Sequence, residues 1–197
     1  MPKVVNHKDR RENVAEATWR VIAKQGIETT TIREIAKEAD CSTGMLQYYF
    51  KNKDELILYA LQLAVLRMGG RMWKRGEESA GTQILRNVVI ESLPLDEERR
   101  LEWQILAVFY GRAATSTKMA EECDLWYTDY RSLLRGLITN GKRDGHYRME
   151  IDAATEADAI ISLVVGIGVL TIIKPRHFTS EFQLELMDRH LSTLLTR

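Results

Sequence analysis

Gln47 and Tyr48 are the residues of this 197-residue chain whose types and placement speak most directly to chemistry. They follow Ser42, Thr43 and Gly44 in the segment STGMLQYYF, where Met45, Leu46, Tyr49 and Phe50 share one helical face. Thr43, Gly44, Gln47 and Tyr48 then point outward. Small residues at the start of such a helix allow close approach to a groove. An amide and a phenol supply hydrogen bonds for base edges or phosphates. The chemistry implied is recognition of duplex DNA rather than a reaction.

The elements that position these residues can be read on either side. Thr31 with Glu34 forms a capping box, in which the hydroxyl covers an open amide and the carboxylate reaches back to the cap. Ile32, Ile35, Ala36 and Ala39 give the following helix one apolar face, and Asp40 and Cys41 break the pattern. Ser42 caps the next helix. About two turns are marginal alone, so that helix must dock on neighbours. A third helix starts near Asn52. Two short helices and a tight turn make a helix-turn-helix, whose second helix presents its N-terminal residues to base edges. Ahead of it the chain is basic, with Lys3, Lys8, Arg10 and Arg11 against Asp9. Such an arm suits phosphates or the minor groove, and equally suits a frayed, solvated terminus.

Gly26, Thr30 to Ala36, Ser42 to Leu46, Tyr48 to Phe50 and Lys53 to Leu56 closely resemble the DNA-binding domain of the TetR family of transcriptional regulators, over roughly residues 8 to 60. Many members have Gly where this chain has Asp40, and Tyr where it has Gln47. The resemblance implies that Tyr48, Tyr49 and Lys53 lie near the phosphate backbone. The DNA-facing set is then Thr31, Arg33, Ser42, Thr43, Gly44, Gln47, Tyr48, Tyr49 and Lys53. It also implies a homodimer on a near-palindromic operator, whose C-terminal domain binds a small-molecule inducer. Trp103 to Arg135 is similar to the choline-responsive branch of the family, which suggests a quaternary ammonium inducer.

Composition fits an ordinary globular protein, with 45% hydrophobic and 28% charged residues and a formal net charge of zero. Zero net charge argues against a uniformly basic coat but not against a local basic patch. Cys41 and Cys123 form no CxxC pair, and His7, His146, His177 and His190 are scattered, so no spacing resembles a metal site. No cofactor motif stands in the chain. No GxSxG, HExxH, P-loop or GxGxxG points to an enzyme. A small helical enzyme and an interaction module without a DNA role are the alternatives. The absence of a secretory signal, together with the DNA-binding pattern, suggests the cytoplasm.

The rest reads as a succession of helices, about nine in all, giving an all-α fold. A helix-turn-helix domain spans 1–52 and a helical ligand-binding and dimerisation domain spans 53–197. Further segments are expected over roughly 8–25, 52–75, 81–92, 97–114, 117–140, 153–173 and 180–195, with Gly69-Gly70 inside the fourth helix as a possible tuner of stiffness. The run AIISLVVGIGVL at 159–170 is shorter than the about 20 residues a membrane span needs, so no membrane role is expected. A helix apolar on most faces must be buried on most faces. Ile160, Leu163, Val164 and Ile167, with Leu184, Met187 and Leu191 of the last helix, are expected to form a two-fold four-helix interface, with Gly166 and Gly168 admitting the partner. Intrachain packing is the other reading. Trp73, Trp103, Leu106, Phe109, Tyr110, Trp126, Tyr127 and Tyr130 concentrate rings in the middle of the chain. They suit an apolar pocket between helices, and equally a plain core.

Overall fold

Local capping chemistry lays out the N-terminal helices. In the computed structural model, which describes residues 7–196, α1 (His7–Gln25) ends at Gly26, whose φ of 79° is left-handed. The amide of Gly26 donates to the Ile22 carbonyl at 2.8 Å. Thr31 and Glu34 form the expected capping box ahead of α2 (Ile32–Glu38). The turn to α3 (Thr43–Tyr49) closes as a Schellman motif. The Cys41 amide reaches the Ala36 carbonyl at 2.9 Å and that of Asp40 reaches Lys37 at 3.3 Å. Asp40 therefore takes φ 49°, the left-handed value that Gly adopts without strain and Asp tolerates better than most residues. Ser42 caps α3 at 3.1 Å from the Met45 amide, and Asn52 caps α4 (Lys53–Glu77) at 2.8 Å from that of Glu55.

These helices close a small core of Val14, Ala17, Val21, Ile35, Ala36, Ala39, Leu46, Phe50 and Leu56. The opposite side of α1, with Ala15, Trp19 and Ile22, enters a second and larger core. So does α4 from Ile57 onward, and Trp19 fastens the join by donating to the Ala60 carbonyl at 2.9 Å. The 52/53 division thus falls at a helix cap, and α1 and α4 pack into both parts.

The larger core is completed by α5 (Gln83–Ile90), α6 (Glu97–Ala113), α7 (Thr117–Arg143), α8 (Ala153–Ile173) and α9 (Ser180–Ser192). The described residues hold nine helices and no strand. α7 runs to Arg143, past the expected end at 140, and Gly141 lies inside it because the Tyr147 ring packs where a Cβ would sit. The chain end is pinned there by the Arg148 amide to Leu194 at 3.0 Å and the Thr196 amide to His146 at 3.1 Å.

Gly168 has a comparable reason, and it is not the expected one. A Cβ there would stand 2.2 Å from the Trp103 ring of the same chain, so the gap serves intrachain packing. α8 itself is 21 residues long with a mean hydropathy of 2.1 over its best window, long and apolar enough by those measures to cross a membrane. The shorter run read from the sequence omitted its first turns. Only 39% of that window is buried within the chain.

Candidate nucleic-acid interface

α3 is seated by Leu46, fully buried, and by Phe50 at its C-cap, with Met45 and Tyr49 half-buried beside them. That seating turns Thr43, Gly44, Gln47 and Tyr48 to solvent, as the spacing predicts, and Tyr48 is 75% exposed. Thr43 and Gln47 make no side-chain hydrogen bond or ion pair among the described residues, nor does Arg33 on the exposed side of α2. Nothing internal requires Gly44 to lack a side chain, since a Cβ there would meet only Ser42 Oγ at 3.9 Å. The bare backbone there is open to solvent.

Other members of the set expected to face DNA are already engaged. Thr31 Oγ1 accepts from the Glu34 amide and donates to its carboxylate at 2.8 Å. The Thr31 hydroxyl and amide, with Gln25, hold the Glu34 carboxyl below its ordinary range. Ser42 is likewise a cap. Lys53 Nζ donates to the Ile27 carbonyl at 2.7 Å, which fixes its ammonium and leaves its other hydrogens available. Tyr49 hydroxyl lies 3.0 Å from His7 Nδ1. The basic arm divides. Arg11 does not reach outward, because its guanidinium lies over the rings of Phe50 at 5.2 Å and Tyr59 at 4.4 Å. Lys3 lies outside the described residues.

The aromatic set of the C-terminal body comes together only in part. Trp103, Leu106 and Phe109 of α6 are buried, Trp126 meets Phe109 at 5.7 Å between centroids, and Tyr130 packs on the same core. Trp103 donates its indole N–H to the Ser92 carbonyl at 2.6 Å, and the Tyr130 hydroxyl lies 3.2 Å from Ser92 Oγ. Burial pushes the Tyr130 hydroxyl strongly up, against the effect of Ser92. Tyr110 is half-exposed at the margin. Trp73 does not join them. It is 70% exposed on the outer side of α4, because Met72 and Arg71 take the inward positions of that turn. Tyr127 also stands apart, 42% exposed, donating to Asp158 at 2.5 Å on the α7–α8 surface.

Two cavities, of about 170 and 190 Å³, flank Tyr147 between α5, α7 and α9, and neither is lined by the ring cluster. Of the expected interface residues, Ile160, Val164, Ile167, Met187 and Leu191 are buried within the chain's own core. Most of their surface is spent on that core, as in the intrachain reading. Leu163 and Leu184 are half-buried, and Leu170 and Ile173 are exposed along α8 at 41% and 61%.

Sequence reading missed an ion network behind α4. Arg71 pairs with the fully buried carboxylate of Glu102 at 2.9 and 2.6 Å. Glu91, 4% exposed, receives Arg75 at 3.0 Å and Arg99 at 3.2 Å. One turn earlier Arg67 joins Glu16 of α1 at 2.5 Å to Glu98 of α6 at 3.5 Å. Burial works against the Arg71 charge, but Glu102 outweighs it and raises its pKa. The signal was there: arginines spaced by four at 67, 71 and 75, and glutamates spaced by four at 98 and 102.

The family pattern for bacterial regulatory proteins of the tetR type matches residues 14–60, and that for the C-terminal domain of BetI-type transcriptional repressors matches residues 82–196. The chain belongs to the TetR family. The transcriptional regulator PksA of Bacillus subtilis is 28% identical over 195 residues, 98% of this chain and 94% of its own. A transcriptional regulator from Rhodococcus superposes with a TM-score of 0.81 at 29% identity, covering 93% of this chain and 95% of that one. One from Saccharomonospora viridis, crystallised with choline, superposes at 0.88 and 22% identity, covering 97% and 100%. The TetR-family chain described here is thus a transcriptional regulator, and its relatives are regulators rather than enzymes.

Proposed function

We propose that this regulator acts in the cytoplasm as a homodimeric repressor that reads a near-palindromic operator with α3 and leaves it when a small molecule binds the C-terminal body. The observation that carries the DNA reading is the outward row of Thr43, Gly44, Gln47 and Tyr48 on a helix seated by Leu46 and Phe50. Gln47 is the base reader of the set, and Arg33, Tyr48, Tyr49 and Lys53 face phosphates. Dimerisation is supported by the apolar side of α8 left open along Leu163, Gly166, Leu170 and Ile173, which a second copy would cover.

The inducer site belongs among Trp103, Phe109, Tyr110, Trp126 and Tyr130, whose ring faces suit a cation. The choline bound by the Saccharomonospora regulator supports that chemical class. α4 runs from the DNA-side Lys53 to the Arg71–Glu102 pair beneath α6, so DNA and inducer bias one element in opposite directions. Selection of bound sites from random duplex DNA tests the core of this reading. A palindromic consensus is expected. An asymmetric consensus would overturn the two-fold arrangement, and no enrichment would overturn sequence reading by α3.

A further inference from the structure

The hydroxyl of Tyr49, at the C-terminal end of α3, lies 3.0 Å from Nδ1 of His7, the first residue of α1. The rings meet edge-on with centroids 5.8 Å apart. His7 is exposed, so its imidazole stands in solvent beside the recognition helix. Among the described residues, Tyr49 meets it from α3 with Tyr48 against Tyr49 at 5.3 Å, and Lys8, Asp9, Arg10 and Arg11 follow it along α1. Lys8 has Glu12 at 3.9 Å, and Arg11 is held over Phe50 and Tyr59.

We infer that His7 and Tyr49 together form a proton-gated phosphate contact, so that binding duplex DNA takes up a proton at His7. The inference rests on the reading of α3 as the DNA-facing helix. A neutral imidazole that accepts the Tyr49 hydrogen at Nδ1 keeps one outward donor, Nε2–H. Once protonated, the ring donates from Nδ1 to the Tyr49 oxygen instead. The tyrosine hydrogen is then free to donate to another acceptor, while Nε2–H remains. One added proton turns a neutral pair with a single outward donor into a cationic pair with two. The two hydrogens leave on different sides of the pair, so oxygens of neighbouring phosphates accept them, and charge-assisted hydrogen bonds of this kind are the strong ones. Imidazole is the side chain whose charge changes near neutrality. Reciprocity then requires that phosphate, by favouring the protonated ring, draw a proton in on binding. The other three histidines, His146, His177 and His190, follow α7, link α8 to α9 and lie on α9, all in the C-terminal body.

The test is the affinity for mixed-sequence duplex DNA as a function of salt, at about pH 6 and about pH 8. Phosphate contacts do not depend on sequence, so the operator need not be known. The native chain should bind more tightly at the lower pH. Its slope of log affinity against log salt should be steeper there by about one unit per protomer. His7→Gln should show the shallow slope at both pH values, and His7→Lys, fixed as a cation, the steep slope at both. His7 is exposed at a helix start, so equal melting temperatures are expected and would confirm that the variants fold. A native chain that binds DNA with no pH dependence would overturn the inference. So would a His7→Gln variant that keeps the native pH dependence. Absence of salt-dependent DNA binding at either pH would instead strike the DNA reading itself.

Discussion

The three-helix head and the body behind it solve opposite problems with the same secondary structure. In the head, α2 and α3 are too short to stand alone, and each is fastened by local devices: Thr31 with Glu34, Ser42, and the left-handed Asp40 between them. Its outer side keeps polar groups without internal partners, which suits a surface made to meet another molecule. The body's helices are mostly longer; Asp96, Asp152 and Thr179 cap three of them, but their hold comes chiefly from one large shared core. It buries what the head exposes, including the carboxylates of Glu91 and Glu102 and the ring of Trp103. Exposed polar groups are left without internal partners at one end, and buried carboxylates are paired with arginines at the other.

Deleting a buried charge partner is the strongest way to break that contrast. Glu102→Ala leaves Arg71 with only the more distant Glu91 and should cost about 3–5 kcal/mol of stability, read as a fall in chemical-denaturation midpoint. A loss below about 1 kcal/mol would show that the network is not what holds α4 to α6. On the head, Gln47→Ala should leave stability unchanged. It should relax preference at one or two base positions by about 1–3 kcal/mol, measured on the selected consensus and its single-base variants. A uniform loss on all sequences would move Gln47 from base reading to phosphate contact.

Glycines sharpen the comparison within the body. Gly168→Ala drives a methyl into the Trp103 ring, which is buried and tied to Ser92, and should destabilise by about 1–3 kcal/mol. Gly70→Ala meets nothing within 4 Å on exposed α4 and should stabilise by up to about 1 kcal/mol. The double Gly69→Ala, Gly70→Ala variant also tests the lever. If inducer-driven release from DNA is unchanged in it, the glycines play no part in coupling.

The smallest effect is expected at the α7–α8 surface. Arg131 and Tyr127 hold the Asp158 carboxyl down to about 2. A carboxyl depressed on folding stabilises the protein above its unfolded pKa, and that contribution fades as pH falls through the folded value. The melting-temperature difference between the native chain and Asp158→Asn should therefore be steady above about pH 4 and shrink toward about pH 2. A difference that does not shrink in acid would mean that packing, not the charge, accounts for it.

Legibility followed the range over which each signal acts. The capping box, the Ser42 cap and the outward row of α3 are fixed by residues within a few positions of each other, and all appear as the spacing predicts. The interface residues of α8 were not legible, because a helix apolar on nearly every side carries no period to say which side faces inward. Ile160, Val164 and Ile167 went to the chain's own core, and Leu170 and Ile173 stayed outside. Trp73 was grouped with the rings by nearness in type and sequence. One turn of α4 places Arg71 toward Glu102 and Trp73 away from it.

The sequence by itself therefore determined the helices, their caps and the residues that a DNA-facing helix would present. These depend on backbone hydrogen bonds and side-chain oxygens only a few residues apart. Tertiary structure decided which apolar residues are core and which remain open, why Gly168 must be bare, and that Arg11 covers Phe50 and Tyr59. It also decided that His7 meets Tyr49 across forty-two positions of chain. Those outcomes depend on how whole helices cross, and long-range contact is set by the packing of both partners rather than by either segment alone.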